Sequence, residues 1–285
     1  MKGVTIGLFA LSFCSVSFAN GAYVPPPATS PEPVPVNYFD GFYLGIGGGL
    51  HHTTADAKAM VVDEIGGYVN SPGQTGPSYP LSVSADMGTI SGVAQGFIGF
   101  GKTFSQNKNA YVGIELFGRY TPTSMSMSQT SQIAYDDEIM ASATTEGKLT
   151  NDYSFGGDVR LGYLITPKVM AYVLAGVDVG EFNYKIHHMA SMYGAPTYLD
   201  YSTDKDTWQY GFMPGVGIEA MLNDHVSLRA QYTYTFFGDG DDVAGSGILY
   251  SAEGATMVSS TGTGVTDSIQ RGLFTLDLTY HFNGI

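Results

Sequence analysis

The stretch Phe274-Thr275-Leu276-Asp277-Leu278-Thr279-Tyr280-His281-Phe282 alternates apolar and polar side chains without a break. A strict period of two puts Phe274, Leu276, Leu278, Tyr280 and Phe282 on one face of a strand. Arg271, Thr275, Asp277 and His281 fall on the other. The segment before it repeats the pattern, with Val226, Leu228, Ala230, Tyr232, Tyr234 and Phe236 opposing Ser227, Arg229, Gln231, Thr233 and Thr235. Further upstream, Val112, Ile114, Leu116 and Tyr120 oppose Glu115, Phe117 and Arg119. Aromatics gather toward the ends of the apolar rows, as they do where a strand runs from one membrane interface to the other.

Period two governs the chain from Gly41 onward, and no helical period lasts more than two turns. Eight segments qualify as strands, at about 41–51, 91–104, 110–121, 152–165, 169–182, 207–221, 225–237 and 269–282. Each reaches the ~9–11 residues that a tilted strand needs to cross a bilayer. The connections at about 105–109, 166–168 and 222–224 are tight, whereas those at about 52–90, 122–151, 183–206 and 238–268 are long and polar. Long and short alternate throughout. A compact soluble domain rarely tolerates four unstructured loops of that length. A transmembrane barrel has short periplasmic turns and long outer loops. The expected fold is therefore all-β: an eight-stranded antiparallel transmembrane β-barrel over 41–285, with both termini in the periplasm. Pro214 lies inside a strand, where proline is normally excluded, and is read as a bulge or a locally missing ladder bond.

Composition agrees. Of 285 residues only 13% are charged, against roughly 25% in soluble domains. Lys and Arg together number 12 and the net charge is −14, which removes the clustered cations that phosphate neutralisation requires. No nucleic-acid partner is expected. Met1–Ala19 reads as a signal peptide: Lys2, an apolar run from Ile6 to Phe13, and Ser17-Phe18-Ala19 as the cleavage site. A lipoprotein signal built on Cys14 is the alternative, with bulky Phe13 against it. Cys14 is the one cysteine, so the mature chain has no disulfide and no thiol chemistry. Residues 20–40, with Val24–Val36 rich in proline, read as an extended periplasmic tether. A docking peptide for a proline-recognising partner is the other reading.

Three motifs carry a family resemblance: Gly41-Phe42-Tyr43-Leu44-Gly45 at the start of the barrel, Phe212-Met213-Pro214-Gly215-Val216-Gly217-Ile218-Glu219, and the closing Leu276–Phe282. The chain resembles the OmpA-like superfamily of small outer-membrane β-barrels, which includes opacity-type proteins and surface antigens. The resemblance spans about 41–285 and covers the barrel alone, with no peptidoglycan-binding domain after it. It implies an outer-membrane location, contact with membrane lipid and lipopolysaccharide, and recognition of the last strand by the barrel-assembly machinery. Asn283-Gly284-Ile285 follow Phe282, where the family ends on an aromatic residue.

An eight-stranded lumen is just wide enough for side chains to fill. Its inward positions hold Glu115, Asp158, Asp178, Glu219 and Asp277 against Arg119, Arg160, Arg229 and Arg271. Opposite charges confined together pair rather than stand alone, so a salt-bridged plug is expected, a gated ion path being the alternative. Gly45, Gly47, Gly99, Gly156, Gly211, Gly215 and Gly217 make room for these side chains. No nucleophile–base spacing is present. His225 and His281 sit at the periplasmic ends of strands, and His51-His52 and His187-His188 at the outer ends, read as solvated loop residues. The two outer pairs are a candidate Zn²⁺ or Cu²⁺ site only if loops from opposite sides of the barrel met. Asp239-Gly240-Asp241-Asp242 resembles a fragment of a calcium loop but has Tyr250 where the bidentate Glu belongs. No cofactor is expected. The outer loops are acidic (Asp136, Asp137, Glu138, Asp200, Asp204, Asp206, Asp239, Asp241, Asp242) and rich in Ser, Gly and Tyr, a composition suited to adaptable contacts. The expected function is a non-enzymatic surface protein with an envelope-structural, adhesin or antigen role, its loops meeting a host-surface ligand. A narrow pore or small-solute channel is the alternative, and a rim-located lipid-modifying enzyme a more distant one.

Overall fold

A computed structural model describes residues 38–66, 78–104, 109–135, 138–192, 198–238, 243–250 and 257–282. The signal peptide, most of the tether, the 105–108 turn and the Asp239–Asp242 calcium-like fragment lie outside the described residues.

The described chain is β-structure with no helix. Nine strands follow in order: β1 Gly41–Gly66, β2 Ser78–Phe104, β3 Ala110–Tyr135, β4 Glu138–Thr166, β5 Val169–Met192, β6 Tyr198–Met221, β7 Val226–Phe237, β8 Val243–Tyr250 and β9 Met257–Phe282. Neighbours pair antiparallel, and β1 pairs with β9 from Phe42↔Phe282 upward, which closes the ring. Eight strands make that ring. The ninth, β8, pairs with β9 on the side that β7 occupies lower down: Phe237↔Ile269 gives way to Val243↔Gly264. It carries on the line of β7 after the 238–242 interval.

The described turns have local causes. Asn223 Oδ1 accepts hydrogen bonds from the backbone N–H of His225 (2.9 Å) and Val226 (2.8 Å), an Asx turn that reverses the chain without a glycine. At 166–168, Lys168 N–H donates to Thr166 Oγ1 at 3.3 Å.

The outward rows are the apolar ones. Ile46, Leu50, Ile90, Ile114, Leu116 and Leu161 are all more than half exposed, which fits a face that meets lipid. One aromatic girdle runs through Tyr120, Tyr153, Phe155, Trp208, Tyr210 and Phe236, another through Phe42, Phe100, Phe104, Tyr163, Tyr280 and Phe282. Ring contacts tie neighbours within each, such as Phe155–Trp208 at 5.7 Å and Phe42–Phe100 at 4.9 Å. On β4 the girdles are marked by Tyr153 and Tyr163. Ten residues rise about 33 Å along a strand, or about 25 Å along the axis of a barrel tilted by about 40°. That is the height of the apolar band of an outer-membrane barrel.

The expected long outer loops are the main correction. Most of the described residues in 52–90, 122–151, 183–206 and 238–268 are strand, so the outer connections are hairpin extensions rather than irregular loops. Only about the first 12 of the 26 residues of β1 lie below the outer girdle's level. Beyond the girdle the wall divides. The β2–β3 ladder stops at Ala94↔Tyr120 and the β6–β7 ladder at Gly211↔Phe237, while the β1–β2, β1–β9, β3–β4, β4–β5 and β5–β6 ladders run on. Two four-stranded groups result, β2-β1-β9-β8 and β3-β4-β5-β6. Register shifts fall in the second group at Tyr120/Thr123 and Thr150/Ser154, and the two groups still meet where β8 lies beside β5 and β6.

Pro214 costs one local interruption. Residues 213 and 214 have no partner on β7, although the register is the same on either side, at Phe212↔Phe236 and Gly215↔Thr233. The missing ladder bond applies here, not the bulge.

Candidate functional site

All nine charged residues expected inside the barrel are buried and face the lumen. They form two connected groups. In the group nearer the periplasm, Arg160 is the centre: its Nε donates to Asp158 Oδ1 at 2.9 Å, and its Nη2 to Glu115 Oε1 and to Gln231 Oε1. Arg229 Nη1 donates to Glu115 Oε2 at 3.0 Å and its Nε to Glu219 Oε2 at 3.2 Å. Glu219 Oε1 also accepts from Ser227 Oγ at 2.5 Å and from His281 Nε2 at 2.9 Å. Each guanidinium lies over an aromatic ring as well, Arg229 at 4.4 Å from the Phe97 centroid and Arg160 at 5.1 Å from that of Tyr172. Such contacts strengthen when water is excluded.

The second group lies toward the outside. Arg119 Nη1 pairs with Asp178 Oδ2 at 3.3 Å and its Nε donates to Gln95 Oε1 at 3.1 Å. Arg271 stands 4.0 Å from Asp178 and donates to Asn151 Oδ1 at 2.5 Å. Asp277 departs from the expected pairing of charges: it accepts from Gln95 Nε2 at 2.7 Å and Thr275 Oγ1 at 3.2 Å. Asp277 on β9 and Gln95 on β2 flank Gly47 of β1, and that amide links the aspartate to Arg119.

Two apolar clusters bracket these charges. Phe39, Tyr43, Phe97, Tyr111, Phe117, Met170, Tyr172 and Met213 are among those that fill the periplasmic part. Ala55, Met125, Leu149, Phe182, Tyr184, Ile186, Phe237 and Ile269 fill the outer end, between the two strand groups. The lumen glycines serve this packing. A Cβ at Gly99 would lie 2.3 Å from Tyr43 Cζ, and one at Gly217 2.4 Å from Tyr172.

Several residues of the network carry no charge. Gln231 stands on the polar row read from the sequence, which assigns it no role in the network; Gln95 sits at an inward position of the alternation, the one signal that could have found it. Asn151 lies just outside the strand expected from 152. Its Nδ2 donates to the backbone carbonyls of Tyr153 (3.1 Å) and Glu181 (2.8 Å), which satisfies the backbone where the β4–β5 ladder breaks. The histidines also differ from expectation. His51 and His188 are buried, against Thr53 (3.1 Å) and Thr145 (2.8 Å). His187 faces outward and bonds Asp200 Oδ1 at 2.7 Å. Among the described residues no three His, Asp or Glu side chains are placed to hold a metal ion.

Ser227, His281 and Glu219 have the residue types of a hydrolytic triad but not its wiring. Ser227 and Glu219 both contact His281 Nε2, whereas a triad puts the carboxylate on one ring nitrogen and the nucleophile on the other.

A closed ring of tilted antiparallel strands, apolar outside between two aromatic girdles and polar inside, defines a transmembrane barrel of the outer-membrane kind. The family model of the outer membrane protein beta-barrel domain matches residues 8–282, and the chain belongs to that family. Its location is the outer membrane. No curated protein sequence matches the chain. Among solved structures it is similar to OprG of Pseudomonas aeruginosa, at 13% identity and a TM-score of 0.35, covering 86% of this chain and 97% of that one. It is also similar to Ail, the attachment invasion locus protein of Yersinia pestis, at 10% identity and a TM-score of 0.23, covering 76% and 98%. The N-terminal β-barrel domain of OprF from Pseudomonas aeruginosa matches at 11% identity and a TM-score of 0.21, covering 75% and 98%.

Proposed function

We propose that this barrel is a non-enzymatic surface protein whose working parts are its outer hairpin extensions, in an adhesin or antigen role, and whose lumen is a structural plug. The observation that carries this reading is the contrast between the two regions. The interior is occupied by interlocking charge pairs between two apolar clusters, while ordered β-structure continues well past the outer girdle.

The kind of contact follows from edges and charge. Where the β2–β3 ladder ends, β3 has no partner on that edge among the described residues from Thr121 to Tyr135, and no residue in that stretch is charged. Charged side chains are the usual protection of such an edge, and an uncharged one suits an extended segment that adds as a further strand. The β6 edge beyond Gly211 carries Asp200, Asp204, Lys205 and Asp206 and has β8 beside it, so it is the less open of the two. A polyanionic ligand fits poorly. All four arginines of the chain (Arg119, Arg160, Arg229 and Arg271) are buried in the lumen. The glycan analogue named with the Ail structure, sucrose octasulfate, would find few cations on the surface of a chain with net charge −14.

The test is made on intact cells. A variant in which residues 125–149 are replaced by a short turn should assemble, since the lumen network and the girdles lie below, and should lose attachment to host cells. Protease added to such cells should cut the wild type within 122–151 or 238–268 and spare 20–37. Unchanged attachment in both the truncated variant and cells lacking the protein would defeat the adhesive reading. Cleavage confined to 20–37 would reverse the orientation.

A further inference from the structure

The last three residues before β1 are not part of a free tether. Phe39 is fully buried in the periplasmic apolar cluster, with Tyr38 packed against it. Its ring meets His281 edge-on, with centroids 5.7 Å apart and planes at 88°. Asp40 Oδ1 accepts two hydrogen bonds from Thr103 on β2, from the backbone N–H at 2.6 Å and from Oγ1 at 2.8 Å. Lys168 Nζ, in the β4–β5 turn, lies 5.1 Å from the Tyr38 ring centroid. The chain reaches this position by a sharp bend at Gly41, whose φ of 105° is a conformation that L side chains rarely adopt. A Cβ there would also stand 3.1 Å from the Phe282 carbonyl oxygen. Contacts from β9, from β2 and from the β4–β5 turn, with a glycine-dependent bend, hold Tyr38-Phe39-Asp40 in the barrel mouth.

We infer that Tyr38-Phe39-Asp40 is a latched stopper, which controls access of water and solutes from the periplasm to the luminal Glu219–His281–Ser227 cluster. Phe39 is the seal and Asp40–Thr103 the latch. The latch bonds are backbone-anchored and lie at the rim, where they can break and re-form while the β-ladders stay intact. The stopper touches the nearer charge group through His281, whereas the Arg119–Asp178–Arg271 group and the outer apolar cluster lie above it, so releasing it opens a vestibule with one entrance and no passage through the membrane. The inference stands apart from the adhesive reading, because it concerns the opposite end of the barrel.

Engineered cysteines test it, in a mature chain expected to contain none. Thr279, on the inner face of β9, is buried, and its hydroxyl has no hydrogen-bond partner, so Thr279→Cys is a mild reporter near the periplasmic mouth. Thr53→Cys reports the outer half. The purified full-length barrel is treated with a small charged methanethiosulfonate, and its folding is checked by migration on an unboiled gel. With Phe39 in place both cysteines should react slowly. Phe39→Ala should raise the rate at Thr279→Cys roughly ten- to a hundredfold, as expected when local opening no longer exposes a buried phenyl ring. The rim variants Asp40→Ala and Thr103→Val, which leave the aromatic packing in place, should raise it in the same direction. Thr53→Cys should remain slow throughout. Equal rates at Thr279→Cys with and without Phe39, or acceleration at both cysteines together, would overturn the inference: the first removes the seal, and the second makes the effect a loosening of the whole barrel.

Discussion

Arg229→Ala should lower the unfolding temperature of the purified barrel markedly. Its guanidinium is the bond between Glu115 and Glu219, and it also covers the Phe97 ring. All three partners are buried. Removing it leaves two carboxylates with one cation fewer in a space that admits little water. Stranding a buried charge in this way costs about 3–5 kcal/mol. Glu115 retains Arg160 and Glu219 retains His281 and Ser227, so the loss is shared rather than total. Arg229→Ala combined with Glu219→Gln should recover part of the stability, because the double change removes charge of both signs. Heat-dependent migration on denaturing gels measures both variants. An unfolding temperature unchanged in Arg229→Ala would mean that the carboxylates are already solvated and the lumen is wet.

Gly156→Ala should have a comparable effect by a different route. A Cβ at this position would lie 2.0 Å from the backbone oxygen of Val177 and 2.6 Å from Phe117 Cζ. The first neighbour belongs to the β4–β5 ladder and cannot swing aside as a long side chain would. Overpacking of this sort costs roughly 1–3 kcal/mol or more, and here it falls within the ladder that must close for the barrel to form. The expected result is a fall in the fraction of protein that assembles into the heat-modifiable form. Gly118→Ala is the control, since a Cβ there meets nothing within 4 Å. Equal assembly of the two variants would show that the lumen has slack at Phe117.

These two positions also show what the sequence could and could not convey. Within the membrane, lipid outside and a narrow lumen inside impose opposite demands on alternate residues, so Arg229 and Gly156 could be placed on the inner face by counting in twos. Beyond the girdle that pressure ends. Ser124-Met125-Ser126-Met127-Ser128 still alternates, but its outer row is polar, and without lipid to require an apolar row it reads as a loop although it is strand. Amides were a second blind spot. Gln95, Asn151 and Gln231 link charges and ladder breaks that no charge count reveals, and the partner of Asp277 was missed for that reason. Phe39 was the third. It follows a proline-rich run and sits in no alternating row, so nothing local marks it as core. Only the bend at Gly41 and the socket beside His281 give it a place.

The account rests on a lumen that is filled rather than open, and steady conductance of the purified wild-type barrel in a planar bilayer tests that most directly. Interlocked charge groups between two apolar clusters predict no steady current at any salt concentration at which the barrel remains folded. Stable, ion-selective conductance would contradict the account. If Arg229→Ala also changed the selectivity of that current without lowering the unfolding temperature, the charged interior would be a conduction path, and the channel function would replace the structural one.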